Sequence, residues 1–169
     1  TNSVTVASTA SLKFEDKASL FQVNDNAVNS GKIIYERISA QMKDQDYVYW
    51  SSPVFGQKFS TLSLGTKSCF AFNIATNSWI YADDNMEIGR GYTIKARNSG
   101  PFPYDQKVAF EGTPNNGLLT LGTPTKFDEY ILVGNPYPSA LFADDFLRGN
   151  STILEGTLYF WTHNTPIAY

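Results

Sequence analysis

The sequence is poor in the residues that carry most enzyme chemistry. It has one histidine, His163, and one cysteine, Cys69. A Ser-His-Asp triad or a histidine-based metal site would rest entirely on His163. That residue sits in Trp161-Thr162-His163-Asn164-Thr165-Pro166, a turn-like stretch, and reads as a hydrogen-bonded loop histidine. Cys69 has no partner for an internal disulfide and lies within an apolar strand pattern, where a buried, inert thiol is the ordinary outcome. Charge is scarce too: 17% of residues carry one, the net charge is −3, and no basic tract occurs. Soluble domains average about a quarter charged, and binding to nucleic-acid phosphates needs clustered Lys and Arg. Nucleic acid is therefore excluded as a partner. Apolar runs such as Tyr130-Ile131-Leu132-Val133 are far too short to span a bilayer, so no transmembrane segment is expected. There is no signal-peptide pattern, and the first residue is Thr rather than Met. The chain thus reads as a processed or excised piece of a longer protein.

Aromatics and small polar residues take the place of charge. Ten Tyr and twelve Phe help bring the aromatic share to 15%. Such rings favour strands because they pack across a pleated surface. At 169 residues the chain suits one domain, or one domain with an appendage. That length buries a core without disulfides or a metal.

Short alternating runs recur along the chain. Val4 with Val6, Leu12 with Phe14, and Leu20 with Val23 predict three short strands, either a meander or parallel rungs. Further strands are expected at 32–38, 47–50, 68–74, 79–81, 91–96, 108–111, 117–121, 130–133 and 156–161. Asn24-Asp25-Asn26, Asn29-Ser30-Gly31, 75–78 and 98–103 read as turns and loops. One helix is expected over 140–147, with Ser139 as N-cap and Gly149 as stop. Its Leu141, Phe142 and Phe146 would face the sheet.

The chain also repeats itself. Tyr47-Val48-Tyr49-Trp50-Ser51-Ser52-Pro53-Val54 parallels Tyr130-Ile131-Leu132-Val133-Gly134-Asn135-Pro136-Tyr137, and Cys69-Phe70-Ala71-Phe72 parallels Leu158-Tyr159-Phe160-Trp161. The first copy continues through Gly89-Arg90-Gly91-Tyr92-Thr93-Ile94, whereas the second stops at Tyr169. The expectation is a native domain that continues past Tyr169. Its cut edge near 156–161 would then recruit another chain or a missing segment.

Two sets of residues are candidates for a site. Trp79, Tyr81, Tyr104 and Trp161 fall at strand ends or in loops, where flat rings can stack on the apolar face of a sugar. Asp83, Asp84 and Glu87 form an acidic cluster before Gly89 that makes calcium a candidate ion, although the spacing lacks the pattern of a helix-loop-helix calcium loop. No other cofactor is expected. Asp144 and Asp145 lie early in the expected helix, where its dipole favours negative charge. Gly89-Arg90-Gly91 lacks the Lys and following helix of a phosphate loop and reads as a tight turn or bulge.

The phrases Gly134-Asn135-Pro136-Tyr137-Pro138-Ser139-Ala140 and Gly156-Thr157-Leu158-Tyr159-Phe160-Trp161-Thr162-His163-Asn164-Thr165-Pro166 resemble a domain of large secreted and cell-surface proteins of Flavobacteria and their relatives, exported by the type IX secretion pathway. Tyr49-Trp50-Ser51-Ser52-Pro53-Val54, Gly89-Arg90-Gly91-Tyr92-Thr93-Ile94, Pro114-Asn115-Asn116-Gly117 and Ser11-Leu12-Lys13-Phe14 extend the resemblance in the same order over nearly the whole chain. It implies an extracellular or cell-surface location and flanking domains on the same polypeptide. No catalytic residue carries over.

The fold expected is all-β, a β-sandwich of jelly-roll type with one short helix. Residues 1–30 form a β-rung appendage or N-terminal strands, and 31–169 form the sandwich. The function expected is a non-catalytic structural or adhesive module of a bacterial surface protein, whose partner is a polysaccharide or another surface protein. The alternative is a carbohydrate-binding module of a secreted polysaccharide-degrading enzyme.

Overall fold

The computed structural model describes residues 2–122 and 129–161. Among them the elements run β1 (Leu12–Phe14), β2 (Ile33–Met42), β3 (Tyr47–Trp50), β4 (Val54–Phe55), a 3-10 turn (Phe59–Thr61), β5 (Cys69–Asn73), β6 (Ser78–Tyr81), β7 (Tyr92–Lys95), β8 (Tyr104–Pro114) and α1 (Ala143–Gly149). The strands form two four-stranded sheets, ordered β1-β2-β8-β4 and β3-β7-β5-β6. The fold is an all-β sandwich with one short helix.

Alternation builds the core. Gln106, Val108, Phe110, Gly112 and Pro114 of β8 are all buried, while the residues between them are exposed or half-buried. Opposite them lie Ile33 and Tyr35 of β2. The second sheet contributes Cys69, Ala71, Tyr92 and Ile94 from its inner face, and Phe59, Leu62, Leu64 and Met86 join the same cluster from outside the strands. Each large side chain so buried stabilises the fold by about 1.5–3 kcal/mol. A register shift between Ile38 and Gln41 reverses the facing of β2, so that Met42 returns to full burial.

The antiparallel pairings are nested. β2 pairs with β8, β3 with β7 inside it, and β5 with β6 innermost. Between the last two, Lys58 bridges Asn85, and the Met86 N–H donates to the Gln57 carbonyl at 2.9 Å. The chain is thus one long hairpin, folded so that β8 also meets β4 and β7 also meets β5.

Of the three N-terminal rungs, only Leu12–Phe14 is a strand, and it joins β2 in parallel. Thr5 makes a single bridge to Ser30, and Leu20 is buried without being in a strand. Val4 and Leu20 reach the same core as the rest of the sandwich.

The expected strands at 117–121, 130–133 and 156–161 do not form. Apolar character alone does not make a strand, because the backbone must find a neighbour. Leu118, Tyr130, Tyr159 and Phe160 are instead well exposed. Val133 keeps one bridge, to Arg90. The sequence repeat is therefore not a structural one.

The helix starts later than expected. Phe142 is its N-cap without a side-chain hydrogen bond, while the Ser139 carbonyl accepts from Asn135 Nδ2 at 2.5 Å. Asn135 Oδ1 also accepts the Tyr137 N–H at 3.0 Å, a side-chain turn that fixes the Asn135-Pro136-Tyr137-Pro138 phrase. No helix residue is buried, and Leu141 and Phe142 are exposed, so α1 does not lay an apolar face on either sheet. Asp144 and Asp145 occupy its first turn, as its dipole favours. Among the described residues no helix is long and apolar enough to cross a membrane.

Candidate functional site

β5 reads Cys69-Phe70-Ala71-Phe72-Asn73, and its small residues point inward. The two phenylalanines therefore stand on the outer face of the second sheet. Register carries that face across all four strands. Tyr49, Thr93, Phe70 and Tyr81 lie side by side in one row, Phe72 and Trp79 in the next, and Tyr47 beside Lys95 in the row before.

The rings form a connected surface. Phe70 and Tyr81 have centroids 4.7 Å apart, and Phe72 and Trp79 meet edge to face at 5.3 Å. Trp79 reaches over the small Thr93 to within 6.1 Å of Tyr49. Trp161 arrives from far along the chain and stacks on Tyr49 at 5.7 Å and 15°. Its indole N–H donates to the Tyr47 carbonyl at 3.0 Å, which fixes the ring at the β3 edge. Tyr81 is 73% exposed, Trp161 55% and Trp79 45%, so the rings offer their surfaces to solvent. Burial pushes the Tyr49 phenol above its ordinary value, keeping it protonated and able to donate. At the rim, Arg90 pairs with Glu87 at 2.9 Å and donates to the Phe72 carbonyl at 3.4 Å.

Three of the four aromatics expected from the sequence, Trp79, Tyr81 and Trp161, come together here. Tyr104 does not. It opens β8 in the other sheet, where its hydroxyl accepts the Arg97 N–H at 2.8 Å and meets Gln106 Oε1 at 3.3 Å. The Arg97 guanidinium lies 4.0 Å from its ring centre. These contacts are those of a structural clamp. Sequence reasoning missed Tyr47, Tyr49, Phe70 and Phe72 as members of the site. The alternation in 68–74 did place Phe70 and Phe72 on one face, but nothing in one strand tells which face is inward.

The acidic cluster does not converge. Asp84 accepts the Ser60 N–H at 2.8 Å and the Ser60 hydroxyl at 2.9 Å, which hold its carboxyl below the usual range. It thereby ties the 3-10 turn to the chain after β6. Glu87 pairs with Arg90, and Asp83 is exposed. Among the described residues, no group of three or more His, Cys, Asp or Glu is placed to hold a metal ion. Cys69 is buried on the inner face, and desolvation pushes its thiol up to about 11. A thiol so placed stays protonated at neutral pH and is a poor nucleophile. His163 lies outside the described residues.

One protein family, described as Domain of unknown function (DUF8693), matches residues 1–169, and the chain belongs to it. No curated protein and no solved structure matches the chain.

Proposed function

We propose that this member of the DUF8693 family is a non-catalytic adhesive module of an extracellular or cell-surface bacterial protein, and that it holds a glycan chain on the outer face of the β3-β7-β5-β6 sheet. The observation that carries the reading is the connected, solvent-facing array of Tyr49, Trp79, Tyr81 and Trp161. A pyranose presents an apolar C–H face that stacks on such rings, while its hydroxyls bind polar groups at the rim. Tyr hydroxyls, Lys95 and Arg90 supply those groups. The structural pairings of Asp84 and Glu87 and the buried thiol of Cys69 support a role without catalysis.

The nested pairing supports a sandwich of jelly-roll type, because a long hairpin folded over itself gives the strand order β2-β8-β4 facing β3-β7-β5-β6. That arrangement leaves one broad face available for a ligand while flanking domains attach elsewhere.

The test is affinity electrophoresis and a glycan array with the 169-residue chain. Retention by at least one polysaccharide is expected, weakened about tenfold or more by Trp79→Ala or Trp161→Ala with the circular dichroism unchanged. Absence of retention by every polysaccharide, or retention indifferent to both substitutions, overturns the proposal. A carbohydrate-binding module of a polysaccharide-degrading enzyme would use the same face, and turnover by a catalytic domain encoded in the same gene would distinguish that case.

A further inference from the structure

Strand edges invite pairing, and three of the four edges in this sandwich are guarded. At β3, the Trp161 indole takes the Tyr47 carbonyl. β1 is three residues long, contains Lys13 and is followed by Glu15, Asp16 and Lys17. β4 is two residues long, and the Gln57 carbonyl just beyond it is taken by the Met86 N–H. Among the described residues, β6 has no such guard. Ser78, Trp79, Ile80 and Tyr81 are all exposed, and none is charged or a proline. Among the described residues no strand pairs with β6 other than β5. A bare apolar edge of this kind is a template for another strand.

The ladder shows which groups β6 offers. The Ala82 N–H donates to the Cys69 carbonyl at 2.9 Å. Antiparallel alternation then directs the N–H and C=O of Ile80 at β5, and those of Trp79 and Tyr81 at the open edge.

We propose that β6 pairs antiparallel with β6 of a second copy of this chain, about a two-fold axis through Ile80. Three features select a second copy as the occupant. First, with Ile80 opposite itself, Trp79 falls opposite Tyr81 of the second copy, so the two residues that face the edge exchange all their hydrogen bonds. Second, a pair directly opposite shares a face, so two Trp–Tyr contacts form on the outer side and the aromatic surface continues across the join. Third, the charges fit. Continued in this register, Asp83 of one copy meets the neutral Asn77 of the other, and no like charges oppose each other. The result is a continuous eight-stranded sheet. Self-association thus falls at β6 rather than at 156–161, which forms no strand.

Sedimentation of the 169-residue chain reads the proposal directly through mass, independently of any glycan. A dimer is expected. Tyr81→Pro deletes an N–H that the monomer leaves at the open edge, and Ile80→Lys sets two ammonium groups against each other at the axis. Each is expected to weaken dimerisation about tenfold or more. Ile80 is 41% exposed, so the monomer accommodates Lys or Glu there. An equimolar mixture of Ile80→Lys and Ile80→Glu chains is expected to recover the dimer as a mixed species. That arm stands even where Tyr81→Pro fails to fold. A wild-type monomer at every concentration overturns the proposal, as does a dimer that survives Ile80→Lys or a mixture that stays monomeric. A monomer that captures an added alternating apolar peptide gives the edge a different occupant and equally overturns it.

Discussion

The two sheets share one core and present opposite exteriors. Outside β2 and β8, Glu36 is held by Lys13 and Lys107, both at 3.0 Å, and Lys32 pairs with Glu111 at 3.4 Å. That face is dressed for water. Outside β3, β7, β5 and β6 the same alternation places Tyr, Phe and Trp. Burying that second face is not needed for folding, since Tyr92, Ile94, Cys69 and Ala71 already bind the sheet to its partner. Sheets solvated on one side normally alternate apolar inward and polar outward. The second sheet departs from that rule, with rings on its outer face as well as apolar residues within.

That difference can be broken most sharply by comparing the inside with the outside. Phe110→Ala, at a site 1% exposed, should cost about 3–5 kcal/mol in chemical denaturation. Trp79→Ala, on the aromatic exterior, should cost about 1 kcal/mol or less, the range for cross-strand pairs. Equal losses would make the outer rings a second core and remove the ground for a binding face.

A smaller effect separates the aromatic residues from one another. Tyr104→Phe removes a hydroxyl that accepts the Arg97 N–H, and should cost about 1 kcal/mol while leaving glycan retention unchanged. Loss of retention would return Tyr104 to the binding set.

The smallest effect belongs to the charged exterior. Lys107 and Lys13 hold the Glu36 carboxyl below its ordinary value. Its contribution is therefore complete above the unfolded carboxylate pKa and is lost as pH falls through the lowered folded value. The melting temperature of wild type should exceed that of Glu36→Gln slightly at neutral pH, and the gap should close on acidification or with added salt. A gap that grows in acid would reverse the sign assigned to this face.

Much of the second sheet was legible because each of its strands is a short alternating run closed by turn residues. The expected 47–50 is β3, and 68–74 and 79–81 enclose or overlap β5 and β6. β8 was seen only at 108–111, since its inward positions include Gln106, Gly112 and Pro114, which carry no apolar signal. The strands misplaced at 117–121, 130–133 and 156–161 show the converse, apolar residues without a pairing partner. The site was half legible. Trp79, Tyr81 and Trp161 stood out as aromatics at boundaries, but Tyr49 and Phe70 are joined to them only by cross-strand register, which no local pattern encodes. Tyr104, which flanking Pro103 and Asp105 set apart from the core pattern, begins β8 in the other sheet, away from the three rings.

The nested pairing has a consequence for how this chain comes into being. The widest pair, β2 with β8, joins Ile33 to Gly112, and β2 has no antiparallel neighbour until β8 has been made. Only the innermost hairpin, β5 with β6, can close early. A chain dominated by such long-range pairings is expected to fold slowly. Slow closure lengthens the time during which apolar strands and their unpaired edges stay open to other chains.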